Sequence, residues 1–277
     1  MSKILKSDSL TSEIYDSIKY KLKISGKKPG LAIIVVGDRS DSNLYIKMKR
    51  KKCSELGIDS YLYSYPVDID KNTIIHNIKT LNTYSGITGI IVQLPLPKNF
   101  NEYDEYDILN SVSPEKDVDG FHRENMGKLM LDIPSMTPCT AEGCFRLLEH
   151  HNIDIVGKHI VIVGSSKVVG LPLSMILLHN GATTTLCNIH TENIKNITKN
   201  ADILISCCGS PRLIDSSWIK EDAIVIDVGI NSTERGVVGD VNFNDVYTKV
   251  KHITPVPGCI GPLTIAILME HLVNRKQ

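Results

Sequence analysis

Four side chains of different chemistry stand at spacings that could serve one ligand. Tyr45 and Lys49 are four apart in a segment, Ser42 to Leu56, that reads as a helix, so a phenol ring and an amine share one face. Gln93 ends the apolar run from Ile87 to Val92, and Asp119 lies in the turn Asp117-Val118-Asp119-Gly120. A flat ring, an amine, a neutral amide and a carboxylate could converge on one polar heterocycle. Taken singly, each has a plainer reading. Tyr45 could pack on an amphipathic helix, and Lys49 belongs to the basic run Lys47 to Lys52, which usually marks a solvated face. Gln93 could cap a sheet edge, and Asp117 or Asp119 could simply shape an Asx turn.

The elements that must position these groups follow an α/β rhythm, in which short apolar runs alternate with longer amphipathic segments. Leu31 to Val36, Tyr61 to Tyr65 and Ile87 to Val92 read as strands, with helices over Ser42 to Leu56 and Asn72 to Tyr84 between them. The stretch from Pro114 to Pro138 has few periodic apolar positions and reads as irregular. A new helix is expected after Thr140, a good N-cap with Glu142 close behind. Strands follow at His159 to Val163, Thr183 to Cys187, Ile203 to Cys207 and Ala223 to Val228. Three prolines and two glycines exclude helix from Thr254 to Pro262, and Leu263 to Val273 reads as a last amphipathic helix.

Composition narrows the function classes. The 277 residues suffice for two domains with real cores, and 31 basic against 31 acidic residues leave no global field to attract nucleic acid or an anionic membrane. No apolar run reaches bilayer length, and the N-terminus lacks the apolar core of a signal peptide. Seven cysteines without a Cys-x-x-Cys pair fit free thiols in a reducing cytoplasm, and the nine histidines show no metal-ligand spacing. Cys139 and Cys259 read as packing residues, since no histidine stands at a telling spacing from either.

The second half opens as a dinucleotide site does. A strand, His159 to Val163, runs into Gly164-Ser165-Ser166-Lys167-Val168-Val169-Gly170 and an apolar helix. That order presents backbone N–H groups and a helix N-terminus to a pyrophosphate. The usual Gly-x-Gly-x-x-Gly is absent, so the context carries this reading more than the motif does. The end of the next strand should face the adenosine ribose. There Cys187-Asn188-Ile189-His190-Thr191 offers neither the acid that holds a 2′-hydroxyl nor an arginine for a 2′-phosphate. Both NAD and NADP remain open on this ground.

In chain order, these motifs resemble one family. Ser42-Asn43-Leu44-Tyr45-Ile46-Lys47-Met48-Lys49, Val92-Gln93-Leu94-Pro95-Leu96-Pro97, Pro114 to Gly120 and Pro138-Cys139-Thr140 come first. Gly164 to Pro172, Asp227-Val228-Gly229-Ile230-Asn231, Gly239-Asp240-Val241 and Thr254-Pro255-Val256-Pro257-Gly258 follow. Over nearly the whole chain they resemble the bifunctional methylenetetrahydrofolate dehydrogenase/methenyltetrahydrofolate cyclohydrolase (FolD) family. The resemblance implies an N-terminal α/β catalytic, folate-binding domain over residues 1–138, joined by a returning C-terminal helix over 262–277. A Rossmann domain over 139–261 would bind NADP, or NAD. It also implies a cytoplasmic homodimer formed through the Rossmann domains, with a tetrahydrofolate derivative as substrate.

By that resemblance Lys49 is the catalytic acid/base, Tyr45 stacks on the folate, Gln93 contacts the lysine and Asp119 binds the pterin ring. Pro257, Gly258, Gly261 and Pro262 shape a loop over the folate. Gly164, Ser165, Ser166, Val169, Ile189, His190 and Ile230 line the cofactor. Three departures stand out. Ser165 and Ile189 replace the family's arginine and serine for a 2′-phosphate, which keeps a monofunctional NAD-linked dehydrogenase as the rival reading. Cys259 stands where the family shows glycine, so a positive φ at that position would strain it.

The implied chemistry suits these residue types. Hydride leaves the carbon bridging N5 and N10 of the folate with a push from the nitrogen lone pairs, so no proton need be taken and positioning dominates. Hydrolysis of the resulting cation does need proton transfer. A lysine can serve only if a fraction is neutral, from a model value of about 10.4, and a cationic substrate beside it disfavours the ammonium. A neutral Gln93 can orient the amine without holding it protonated.

Overall fold

The computed structural model describes residues 3–234 and 236–274. The chain divides into two compact units. The first comprises Glu13–Thr137 with Ile265–Gln277, and the second comprises Met1–Ser12 with Pro138–Thr264.

In the order of the chain, the elements up to residue 137 are helix α1 (Asp8–Ser25), β1 (Gly30–Val36), α2 (Ser40–Leu56), β2 (Asp59–Tyr65), α3 (Lys71–Thr83), β3 (Gly89–Val92), α4 (Glu102–Leu109) and α5 (Arg123–Met130). The strands form a parallel sheet in the order β2-β1-β3. β1 is buried along its whole length, as its unbroken apolar sequence requires of a central strand covered on both faces. β2 has no buried position, only half-buried and exposed ones, and lies at the edge. Ala32, Ile34, Ile74, Ile78, Ile90 and Val92 belong to the core that joins this sheet to α3.

Helix α2 ends at Gly57, whose φ of 72° lets its N–H and that of Ile58 close back on the carbonyls of Cys53 and Ser54. Asp70 caps α3 by accepting from the Thr73 N–H at 3.1 Å.

The second unit continues with α6 (Cys139–His150), β4 (His159–Val163), α7 (Gly170–His179), β5 (Thr183–Cys187), α8 (Ile194–Thr198), β6 (Ile203–Ser206), β7 (Ile224–Asp227), the strand pair β8 (Asn231–Thr233) and β9 (Gly236–Val238), α9 (Phe243–Val246), β10 (His252–Ile253) and α10 (Ile260–Asn274). Its main sheet is parallel, in the order β10-β7-β6-β4-β5. Strand order therefore reverses at β4, where a doubly wound sheet opens its binding crevice.

Helix α10 begins in the second unit and ends in the first. Within the first unit the Cys53 thiol donates to Met269 Sδ at 3.6 Å, and Gly89 leaves room for Leu272 and Val118, which a Cβ would meet at 2.6 and 2.8 Å.

Several expectations need correction. The stretch 114–138 is not wholly irregular, since it contains α5, capped by His122 Nδ1 accepting from the Glu124 N–H at 3.1 Å. With only Asn125 and Leu129 buried, α5 offers almost no apolar period to read. Helix α6 starts at Cys139, one residue ahead of Thr140, with no side-chain cap. Helix α10 begins at Ile260, so Gly261 and Pro262 lie in its first turn, where a missing proline N–H has no intrahelical partner to lose. The first twelve residues group with the second unit, because Leu5 N–H donates to Ile253 O and Ile253 N–H to Lys3 O, at 2.8 and 2.9 Å. Cys259 carries no left-handed conformation; that falls on Gly258, at φ 111°. Cys259 is instead buried, its thiol donating to Leu5 O at 3.5 Å.

Candidate active site

Lys49 sits where an apolar residue would be expected. On α2 the buried positions among those described are Ser42, Ile46, Lys49, Cys53 and Leu56, spaced four, three, four and three apart, while Lys47, Arg50 and Lys51 are exposed. A basic run therefore splits by helical phase into a solvated face and one amine turned inward, which is 7% exposed. Burying an ammonium without a partner is costly. The partner is Gln93, one residue beyond β3: Lys49 Nζ donates to Gln93 Oε1 at 3.2 Å.

Two further bonds hold that amide. The Gln93 N–H extends the sheet by donating to Ile34 O at 2.8 Å, and Nε2 donates to Leu94 O at 2.9 Å. With Nε2 committed to a carbonyl, the side-chain oxygen must face the lysine. The following Leu94–Pro95 peptide bond is cis.

Asp119 is half-buried, and loss of hydration raises its carboxyl above the ordinary value. The Lys49 charge opposes that rise, the neighbouring Asp117 adds to it, and His271 opposes it. Tyr45, one turn before Lys49, is half-buried, and the same loss of hydration raises its phenol. The first unit thus brings Lys49 and Gln93 into direct contact and couples Asp119 electrostatically to the amine. Tyr45 presents its ring on the adjoining turn.

The turn that carries Asp119 is pinned by two residues given no catalytic or binding role above. Asp117 is buried; its carboxylate accepts from the N–H groups of Gly120 and His122 at 3.0 and 2.7 Å, and from Asn125 Nδ2 at 2.9 Å. Gly120 supplies the φ of 81° that the turn requires. From α10, His271 Nδ1–H donates to Val118 O at 3.0 Å. The Asp-Val-Asp-Gly motif offered an Asx turn at Asp117 or Asp119, and the structure gives that part to Asp117. Nothing local could identify His271, which acts across 153 positions.

The second unit offers a different surface. Gly164, at φ 117°, ends β4, and a Cβ on Gly170 would lie 1.8 Å from the Gly164 carbonyl oxygen. Only two glycines allow this close return. The loop between them is stapled by Val169 N–H to Ser166 Oγ at 3.2 Å and Leu171 N–H to Ser166 O at 3.0 Å. Ser165, Ser166 and Lys167 are exposed, and α7 starts at Gly170 without a side-chain cap. A glycine turn at the strand-order reversal, leading into an uncapped helix, fits a pyrophosphate.

At the end of β5, Asn188 Oδ1 accepts from His190 N–H and Thr191 Oγ1 accepts from Asn188 N–H, both at 2.9 Å. That turn leaves Ile189 93% exposed and His190 exposed. Ile230, beyond β7, is 44% exposed. Pro257 and Gly258 lie on an exposed loop after a cis Val256–Pro257 bond. All seven cysteines are free thiols. No described helix is long and apolar enough to cross a membrane.

Both halves of the chain match known proteins. Residues 5–119 match the tetrahydrofolate dehydrogenase/cyclohydrolase catalytic domain, and residues 138–277 match the NAD(P)-binding domain of the same name. The bifunctional protein FolD of Aquifex aeolicus is 45% identical over 283 residues, covering 100% of this chain and 96% of its own length. Among solved structures, the bifunctional FolD of Campylobacter jejuni superposes with a TM-score of 0.93 at 42% identity, covering 98% of this chain and 97% of that one. The Trypanosoma brucei methylenetetrahydrofolate dehydrogenase-cyclohydrolase, solved with NADP and an inhibitor, gives a TM-score of 0.91 at 31% identity, covering 97% and 95%.

Proposed function

The chain belongs to the tetrahydrofolate dehydrogenase/cyclohydrolase family, and on that premise we propose that Lys49, Tyr45, Gln93 and Asp119 carry its two reactions. The enzyme oxidises 5,10-methylenetetrahydrofolate to the 5,10-methenyl form with NAD(P)+ and hydrolyses that product to 10-formyltetrahydrofolate. The bifunctional naming of its relatives sets aside the monofunctional rival.

In the first step the folate must be held still while it loses hydride. Tyr45 supplies a flat surface for the ring, and Asp119 accepts hydrogen bonds from the amino-pyrimidine edge. A carboxyl already raised by burial gains most from such a donor, because pairing replaces the hydration it has lost. When bound, the dinucleotide accepts the hydride. The turn from Gly164 through Ser165, Ser166 and Val169 would hold its pyrophosphate, with Ile189 and His190 at the adenosine ribose and Ile230 on the nicotinamide side.

In the second step water adds to the methenyl cation and the adduct collapses, which requires a group that takes and returns a proton. Lys49 is that group. The substrate's positive charge disfavours a neighbouring ammonium, and Gln93 orients the amine while contributing no charge. Pro257 and Gly258 complete the substrate-contacting set. The first unit acts as the folate and catalytic domain and the second as the nucleotide domain. The enzyme works in the cytoplasm as a homodimer formed through the nucleotide domain.

The observation that carries the assignment is the inward Lys49 bonded to an amide already fixed by Leu94 and Ile34. Lys49→Met is expected to abolish cyclohydrolase activity, a loss of at least about 100-fold on the scale of acid–base catalysis, while hydride transfer stays measurable. Equal loss of both activities would show that the amine only binds substrate.

A further inference from the structure

Two buried carboxylates in the second unit have no part in either reaction as derived, yet they are its most heavily hydrogen-bonded side chains among those described. Asp227 ends β7 and Asp240 lies just after β9; they are 3% and 0% exposed. Asp227 Oδ1 accepts from the N–H groups of Gly229 and Asp240, each at 3.0 Å, and Oδ2 accepts from Val241 N–H at 2.9 Å. Asp227 therefore fixes the backbone on both sides of Asp240.

Asp240 then reaches back to two neighbouring strand ends. Its Oδ2 accepts from Ser206 Oγ at 3.0 Å, Cys208 N–H at 2.8 Å and Gly209 N–H at 3.2 Å, with the Cys208 thiol at 3.4 Å. Its Oδ1 accepts from Ser210 N–H at 3.0 Å and Asn231 Nδ2 at 2.9 Å.

Neighbouring glycines make room for this arrangement. A Cβ on Gly239 would fall 1.9 Å from Asp227 Oδ2, and one on Gly229 would fall 2.2 Å from Asp240 Oδ1. The pair thus explains why Asp-Val-Gly-Ile-Asn and Gly-Asp-Val are spaced as they are in the sequence.

The site of this bracing matters. Successive N–H groups at 208, 209 and 210 turned toward one point form a nest that favours an anion. Here the chain's own carboxylate fills it. Loops 207–210 and 228–231 follow the carboxyl ends of β6 and β7, on the side of β4 opposite β5. With the adenosine ribose at the end of β5, the other half of a dinucleotide lies toward β6 and β7. We propose that Asp240, fixed by Asp227, is a positioning residue for the dinucleotide. It sets the backbone at the ends of β6 and β7 against which the nicotinamide half rests, and it occupies a competing anion nest, leaving the Gly164–Gly170 turn for the pyrophosphate. The inference rests on the nucleotide-binding role assigned to this unit above.

The test separates that role from a purely structural one, because hydrolysis of the methenyl substrate needs no dinucleotide. Asp240→Asn keeps the shape but points an amide N–H2 at backbone donors. NADPH binding, followed by fluorescence or calorimetry, is expected to weaken at least about 10-fold, a scale set by leaving hydrogen-bonding groups unpaired. The KM for NADP+ should rise in step, with cyclohydrolase activity within about twofold of the parent.

Asn231→Ala, which removes one of Asp240's partners, should shift NADPH binding the same way by a smaller factor and serves if Asp240→Asn does not fold. Unchanged NADPH affinity in whichever of the two variants folds would overturn the proposal. So would a fall in cyclohydrolase activity proportional to the loss of binding. Failure of the parent protein to bind either NADPH or NADH would instead sink the nucleotide-binding reading itself, and if only NADH binds, the same comparison is made with NADH.

Discussion

The Lys49 site and the Gly164 turn solve opposite problems. At the first, Lys49 is withdrawn from water and bonded to the neutral amide of Gln93, with Asp119 coupled to it through charge, so residue type carries the chemistry. At the second, Ser165 and Ile189 are exposed, Ser166 turns back on its own loop, and the backbone shape permitted by two glycines does the work. The difference shows why a reaction site can be read from a few residues, whereas a nucleotide site must be read from its surroundings. It also predicts unequal responses to substitution.

After Lys49→Met, the sharpest contrast is expected from Gly170→Ala. One methyl group must enter a space 1.8 Å from a carbonyl oxygen, so backbone must move. Dinucleotide affinity should fall by roughly 100-fold, with about 1–3 kcal/mol lost from stability, as overpacking usually costs. Cyclohydrolase activity, measured on the methenyl substrate below the melting temperature, should largely persist. Loss of hydrolysis with retained binding would invert the contrast between the two regions.

Gln93→Glu asks the converse question, since it keeps size and alters charge. A glutamate there surrenders the donation to Leu94 O and places a carboxylate beside the amine. A tenfold or larger drop in cyclohydrolase rate is expected, at the low end of what acid–base groups supply, with the remaining activity displaced to higher pH. A pH–rate profile that keeps its position would show that the neutrality of Gln93 is unimportant.

The smallest effect concerns pH and the second unit. Burial pushes Asp227 up to about 7 from 3.8, against the three backbone N–H groups that favour its charged form. A carboxyl raised on folding binds in the native state a proton that the unfolded chain has released. It therefore stabilises most below 3.8, and that contribution is lost as pH rises toward 7. Urea midpoints should decline from pH 5 to 7, level off above, and lose that slope in Asp227→Asn.

How much of this was legible follows the same division. The parallel strands and α2 were visible because apolar runs and helical period are local. Lys49 could be singled out from Lys47 and Lys51 by its phase with Ile46, Cys53 and Leu56. The dinucleotide turn was visible through its strand, its glycines and the helix behind it. What escaped depends on distant partners. His271 reaches the Asp119 turn from the far end of the chain, and α5 holds only two inward residues. The start of α10 was misplaced because prolines and glycines read as a break, although the first turn of a helix tolerates both. Asp227 and Asp240 were seen as motifs, but their pairing becomes visible only in three dimensions.

The helical phase of Lys49 has a consequence for covalent chemistry. Along one basic run, Lys47 and Lys51 offer their amines to any acylating or alkylating reagent in solution, while the amine proposed to act in turnover is shielded by the core and already engaged. The outer lysines thus act as sacrificial neighbours. An electrophile that silences this enzyme through Lys49 would have to be carried in on a scaffold that itself occupies the ligand site.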